Sequence, residues 1–98
     1  MNGMRAIHPG EVLREEYLEP MGLSANALAL ALRVPAPRVN DIVRERRGNS
    51  PDTALRLARY FRTSAQFWLN LQSGYDLKMA TAANGKRVLQ EVQPAAGR

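Results

Sequence analysis

In the stretch VPAPRVNDIV, residues 34–43, two prolines separated by one residue stand directly before an apolar-periodic run. A residue that precedes proline is pushed out of the α region, which predicts extended or turn-like backbone at both Val34 and Ala36. A helix beyond them cannot begin earlier, and Pro37 is pre-set for its first turn. Val39, Ile42 and Val43 then turn inward, while Arg38, Asn40, Asp41 and Arg44 turn outward. Upstream, Ser24 suits the cap of a helix over ANALALAL, where Leu28 and Leu32 lie one turn apart. Two helices joined by a turn of about four residues make a helix-turn-helix. Leu28, small Ala29, Leu32, Val39 and Ile42 fill its interior positions.

The rest of the chain also reads as helix. HPGEVLREEYLE places Pro9 at a first helical position, with Leu13, Tyr17 and Leu18 on one apolar side, and Pro20 and Gly22 stop it. Ser50 caps a fourth helix with Pro51 in its first turn. Ala54, Leu57, Ala58 and Phe61 then recur at helical spacing and leave Arg56 and Arg59 outside. Ser64 caps a fifth, AQFWLNLQ. Strand-like alternation and Asn-Gly hairpin signals are absent before residue 80, and no repeat or linker interrupts 8–79. After Ala80 the only large apolar residues are Val88, Leu89 and Val92. The expected organisation is an all-α domain over residues 5–79 and a frayed or partly helical C-terminal tail over 80–98.

With 98 residues, 45% of them hydrophobic, the chain can bury one modest core. No uncharged apolar run approaches membrane-spanning length, MNGMRAIHPG has no apolar signal-peptide stretch, and cysteine is absent. These features predict a cytoplasmic protein with no disulfide and no thiolate metal site. The net charge of +5 is unevenly spread: residues 1–32 balance at −2, whereas 33–62 carry eight arginines against three acids. An arginine-dense middle beside an acidic start implies a polyanion-binding face and a second surface of opposite sign. Small helical bundles contain helix-turn-helix segments that never meet DNA. Here the polar outer face of the third helix, followed by RERR at 44–47, puts cations where a DNA backbone passes when a helix enters the major groove.

Enzymatic readings find little support. His8, the only histidine, precedes a proline at a helix start and fits an N-terminal cap or surface residue better than a base or ligand. Glu11, Glu15 and Glu19 fall at i, i+4 and i+8, with Glu16 beside them, but no nucleophile, metal partner or glycine-rich phosphate loop is near. They make a solvated acidic face or a dock for a basic protein. No catalytic residue, metal or cofactor is expected. Phe67, Trp68, Leu69 and Leu71 cover more than one helix face, which predicts Phe67 and Leu71 inward and Trp68 or Leu69 nearer a subunit interface.

The segments HPGEVLREEYLEPMGLSANALALAL (8–32) and VPAPRVNDIVRERRGNSPDTALRLARYFRTSAQFWLNLQSGYDL (34–77) resemble the HigA family. These are antitoxins of HigBA toxin–antitoxin modules within the lambda-repressor-like (XRE) helix-turn-helix superfamily. DTALRLARYF and FWLNLQ…YDL carry more of the resemblance than the helix-turn-helix itself. It implies a five-helix lambda-repressor-like DNA-binding domain that works as a homodimer, represses its own operon and neutralises a RelE-like ribonuclease, the HigB-type toxin. Two turns depart from the family pattern, with Arg33 and Arg62 where glycine is usual. If those backbones keep positive φ, each arginine costs about 1 kcal/mol relative to glycine.

The expected site follows from these readings. Ala36, Pro37, Arg38, Asn40 and Asp41 form the groove-facing, base-reading surface, where Arg38 suits guanine, Asn40 adenine and Asp41 cytosine. Pro35 and Pro37 offer no backbone N–H to phosphate, so the backbone grip passes to Ser24, Asn26, Arg33, Arg44, Arg46 and Arg47. Phe67, Trp68, Leu69 and Leu71 are the expected dimer interface. A dimer would read a palindromic double-stranded operator with half-sites about 34–36 Å apart. Glu11, Glu15, Glu16 and Glu19 are the candidate surface for the toxin. A stand-alone XRE-type regulator without a toxin and a protein-binding helical adaptor are the competing readings.

Overall fold

The computed structural model describes residues 5–96, and among these all regular structure is helical. Helix α1 runs over 9–21, α2 over Ala25–Leu32, α3 over Ala36–Val43, α4 over Pro51–Phe61 and α5 over Ala65–Glu91. Four N-termini are closed by a side chain two or three residues upstream of the amide it accepts. His8 Nδ1 takes Gly10 N–H at 2.8 Å, and the hydroxyls of Ser24, Ser50 and Ser64 take the amides of Ala27, Thr53 and Phe67 at 3.0, 3.2 and 3.0 Å.

The C-termini share a second device. Gly22, Arg33, Glu45 and Arg62 all adopt left-handed backbone, with φ of 62°, 62°, 62° and 60°. At the end of α2, Arg33 N–H bonds Leu30 O and Val34 N–H reaches back to Ala29 O, a Schellman closure that satisfies the last carbonyls. Both arginines at the usual glycine turns therefore hold positive φ.

Two helix boundaries differ from the sequence expectation. Pro20 does not end α1. The helix opens into a wider π-helical turn over Leu13–Leu18 and closes again through Glu19–Met21. Proline lacks an N–H and crowds the preceding turn, and a widened turn ahead of it relieves both demands. At the other end of the chain, α5 passes through residue 79 without a break and extends to Glu91. Ala80, Ala82, Ala83, Lys86, Leu89 and Gln90 are strong helix formers, which carries the helix on where large core residues run out. Of the expected tail, 80–91 is helical, 92–96 is not, and 97–98 lie outside the described residues.

Leu13, Leu28, Leu32, Val39, Ile42, Leu57 and Trp68 make the buried core. Trp68, 0% exposed, lies at its centre. Its Nε1 donates to Thr63 Oγ1 at 2.8 Å, and the rings of Tyr17, tilted, and Phe67, edge-on, pack about it at 5.2 and 5.0 Å. The N-terminal third of α5 thus closes the domain, and the remainder projects to give a long axis of 54 Å against 24 and 23 Å.

Candidate nucleic-acid interface

Helices α2 and α3 are joined through Arg33, Val34 and Pro35, and pack through Leu28, Ala29, Leu32, Val39 and Ile42. Pro35, at φ −61° and ψ 142°, is the N-cap, so α3 begins at Ala36 with Pro37 as its second residue. The expectation of extended backbone at Ala36 is corrected. In a first turn proline withholds no hydrogen bond, and the packing of α3 on α2 outweighs the local bias against helix before proline.

Val39 and Ile42 fix the inner face, which leaves Pro37, Asn40, Asp41 and Arg44 on the outer one and Ala36 and Arg38 half-buried at its flanks. Asn40 Nδ2 donates to Ala36 O at 2.9 Å and to Asn26 Oδ1 at 2.8 Å. The two amides bridge the helix-turn-helix across its outer surface. Both Asn40 hydrogens are therefore committed, and what the pair presents outward is the acceptor of Asn40 and the donors of Asn26. A bidentate contact from Asn40 to adenine requires it to give up one of these bonds.

Arg38 is held aside by Asp52 in the first turn of α4, at 3.0 Å. The same carboxylate oxygen takes Arg56 Nε at 2.9 Å, and Arg56 also donates to Leu32 O at 2.9 Å. Arg56, with Arg38 behind it, holds the Asp52 carboxyl below the ordinary aspartate range. Asp41 takes Arg46 at 3.4 Å and Arg47 at 3.9 Å. Arg33 and Arg44 are exposed, and no ion pair forms at either among the described residues. Ser24 is exposed but committed as the α2 cap. Of the phosphate candidates, Asn26, Arg33, Arg44, Arg46 and Arg47 border α3.

Asp52 and Arg56 were missed in the sequence, and so was Arg14, whose guanidinium donates to Val43 O and pairs with Glu45 at 3.4 Å. The Asp52–Arg56 pair is an i, i+4 spacing that helix geometry announces. The contacts of Asp52 with Arg38, of Arg56 with Leu32 and of Arg14 with Val43 and Glu45 instead join residues brought together only by tertiary packing. Asn49, buried in the loop before α4, donates its backbone amide to Gln72 Oε1 at 2.8 Å.

The acidic set is less uniform than its spacing implied. The π-helical turn breaks the i, i+4 register across Glu11, Glu15 and Glu19. Arg5 grips Glu11 through two bonds of 2.7 and 2.6 Å and holds its carboxyl below the ordinary range. Glu15 lies 3.4 Å from Arg14, and Glu16 and Glu19 are exposed without an ion pair among the described residues.

The aromatic set lies partly within the core. Trp68 is enclosed, and Phe67, Leu69 and Leu71 are half-buried against the same core, so Trp68 cannot meet a partner in this fold. Outside α5, Ile7, Met21, Leu30, Leu55 and Tyr60 are exposed, and on α5 the exposed apolar residues lie farther along, at Leu77, Met79, Val88 and Leu89, with Val92 just past its end. Small Ala80 and Gly85 lie among them. No metal-holding group of acids and histidine occurs among the described residues, and no helix there is long and apolar enough to cross a membrane.

Residues 15–68 match the helix-turn-helix family model. The chain is 70% identical over 79 residues to virulence-associated protein I of Dichelobacter nodosus, covering 81% of this chain and 73% of that relative. It superposes on the Pseudomonas aeruginosa antitoxin HigA, solved with the higBA promoter, with a TM-score of 0.90 and 62% identity over 92% of this chain and 98% of that one. The antitoxin GraA, solved in complex with its operator, matches with a TM-score of 0.91 and 52% identity over 99% and 98%.

Proposed function

Since the chain belongs to the HigA family of helix-turn-helix proteins, we propose that it is a sequence-specific DNA-binding antitoxin that represses its own toxin–antitoxin operon and neutralises a RelE-like ribonuclease toxin. The observation that carries the DNA-binding part is the outer face of α3, where Asn40, bridged to Asn26, stands among the arginines of 33–47. The likeness to structures solved with a higBA promoter and with an operator supports the same assignment.

In this reading α3 enters the major groove. Ala36, Pro37, Asn40 and Asp41 face base edges and Arg38 lies at the flank. Asn26, Arg33, Arg44, Arg46 and Arg47 grip phosphate, with Ser24 holding the start of α2. A second copy of the chain pairs along the distal half of α5, which offers the exposed apolar side chains that the enclosed Trp68 does not. Such a homodimer suits a palindromic operator. The toxin, a basic protein, docks on α1, where Glu16 and Glu19 remain free of ion pairs.

The deciding experiment measures binding to a duplex from the DNA upstream of the coding sequence and to a scrambled duplex. In parallel, any small basic protein found encoded next to it is co-expressed with and without the chain. Preference for the upstream duplex together with rescue of growth supports the whole reading. Preference without rescue leaves a stand-alone regulator.

A further inference from the structure

Two carboxylates flank the α3 surface assigned above to DNA, and both are paired with arginine. Asp52 takes Arg38 and Arg56 at 3.0 and 2.9 Å, and Asp41 takes Arg46 and Arg47 at 3.4 and 3.9 Å. An acid facing a polyanion is repelled by it, so neither carboxylate adds affinity by its own charge. Each does offer arginine what a phosphate offers, a compact anion with oxygens spaced for guanidinium donors. Arg33 and Arg44 remain without such a partner.

We propose, on the DNA-binding reading above, that Asp41 and Asp52 are internal substitutes for DNA phosphates: they hold four arginines in the free protein and surrender them to the backbone only when α3 is seated in the groove. The two acids thereby set the ratio of operator to random-DNA binding. In a loose encounter, a passing phosphate competes for arginines that already have an anion, and it approaches two acids that repel it. The exchange then gains little. In the seated complex, the groove fixes phosphates on both sides of α3 at once, and all four guanidiniums find partners together. Surface ion pairs are individually weak, so surrender is easy once the phosphates are in place. Arg33 and Arg44 drive the encounter, and the held arginines respond to fit.

The test compares wild type with Asp41→Asn and Asp52→Asn, both conservative changes at partly exposed residues. Glu91→Gln, at the far end of α5, removes the same charge away from the interface. Fluorescence anisotropy is read for the upstream duplex and a random duplex across a salt series. Each asparagine variant is expected to tighten random-DNA binding about fivefold and to steepen the log–log salt slope by about one per newly engaged phosphate. The operator-to-random ratio falls accordingly, while Glu91→Gln keeps the wild-type slope and Asp52→Glu keeps the wild-type ratio. Unchanged random-DNA affinity and slope in both asparagine variants overturns the proposal. Loss of operator binding with random-DNA affinity and slope unchanged also overturns it, since the acids would then act only on the bases and not by holding arginines. A wild-type protein with no preference for the upstream duplex overturns the DNA-binding reading, and this inference with it.

Discussion

Gly10 of α1 lies against the main-chain carbonyl of Ile42 in α3, so close that a Cβ on Gly10 would fall inside the oxygen's van der Waals envelope. The start of the first helix is thereby seated on the last turn of the helix assigned to the groove. The opposing atoms are backbone, and neither helix can yield by changing a rotamer. Gly10→Ala is expected to destabilise the fold by about 1–3 kcal/mol and to weaken operator binding beyond what lost folding explains. Urea unfolding and a binding isotherm on the folded fraction check both effects.

His8 beside it predicts a pH dependence. Its Nδ1 must be unprotonated to accept Gly10 N–H, and its ring meets Tyr75 edge-on at 4.8 Å. Burial, outweighing the raising effects of Glu45 and Asp76, holds the imidazole below its ordinary 6.5. The unfolded chain therefore takes up the proton first. The stabilisation is complete above the unfolded pKa and is lost as pH falls through the folded one. Melting temperature should drop from neutral pH to about pH 5 more steeply in wild type than in His8→Asn, which caps without titrating. Equal slopes would assign the loss to other groups.

The left-handed arginines can be separated by their positions. Arg33→Gly and Arg62→Gly should each stabilise by about 1 kcal/mol, a rise of roughly 4–8 °C in melting temperature for a domain of this size. Arg33 borders α3 and Arg62 ends α4. Only the first change should weaken DNA binding, and it should do so for operator and random duplexes alike.

Trp68 and Leu89, both on α5, should fail in different ways. Trp68→Ala opens the centre of the core and should cost about 3–5 kcal/mol. Leu89, 79% exposed, touches little within the chain. Leu89→Lys should leave thermal stability of the dilute protein nearly unchanged while shifting the proposed homodimer toward monomer in sedimentation velocity. A dimer that survives Leu89→Lys and Val88→Lys together would place the interface elsewhere.

The Asn26–Asn40 bridge predicts non-additivity. Asn26→Ala and Asn40→Ala should each reduce operator discrimination by about 1–3 kcal/mol. The double variant should lose little more than either single one, because the two amides act as one group. Additive losses in a double-mutant cycle would make them independent contacts.

Much of this was legible in the chain because it is local. Ser24, Ser50 and Ser64 cap where their positions said, and Leu28, Leu32, Val39, Ile42 and Leu57 face inward as their spacing required. Features decided by tertiary contact were not legible. Nothing about residue 38 announces residue 52, or residue 26 residue 40, until α2, α3 and α4 are packed. Trp68 was hard to place because one aromatic suits a core and an interface equally well, and only its neighbours choose. The length of α5 was underestimated because the absence of large apolar residues says what a helix can bury, whereas Ala82, Ala83 and Leu89 determine whether it forms.

The unbroken course of α5 carries a mechanical consequence. Trp68 is clamped in the same core that holds Val39 and Ile42, and Leu89 lies about 30 Å farther along the same rod. No hinge intervenes between the clamped end and the bare end. Whatever grips the bare end takes hold of a lever whose fulcrum is the core beneath α3, so a twist applied out there reorients the α3 surface as a rigid body. A kink installed at Gly85 would uncouple the two ends while leaving both surfaces chemically intact.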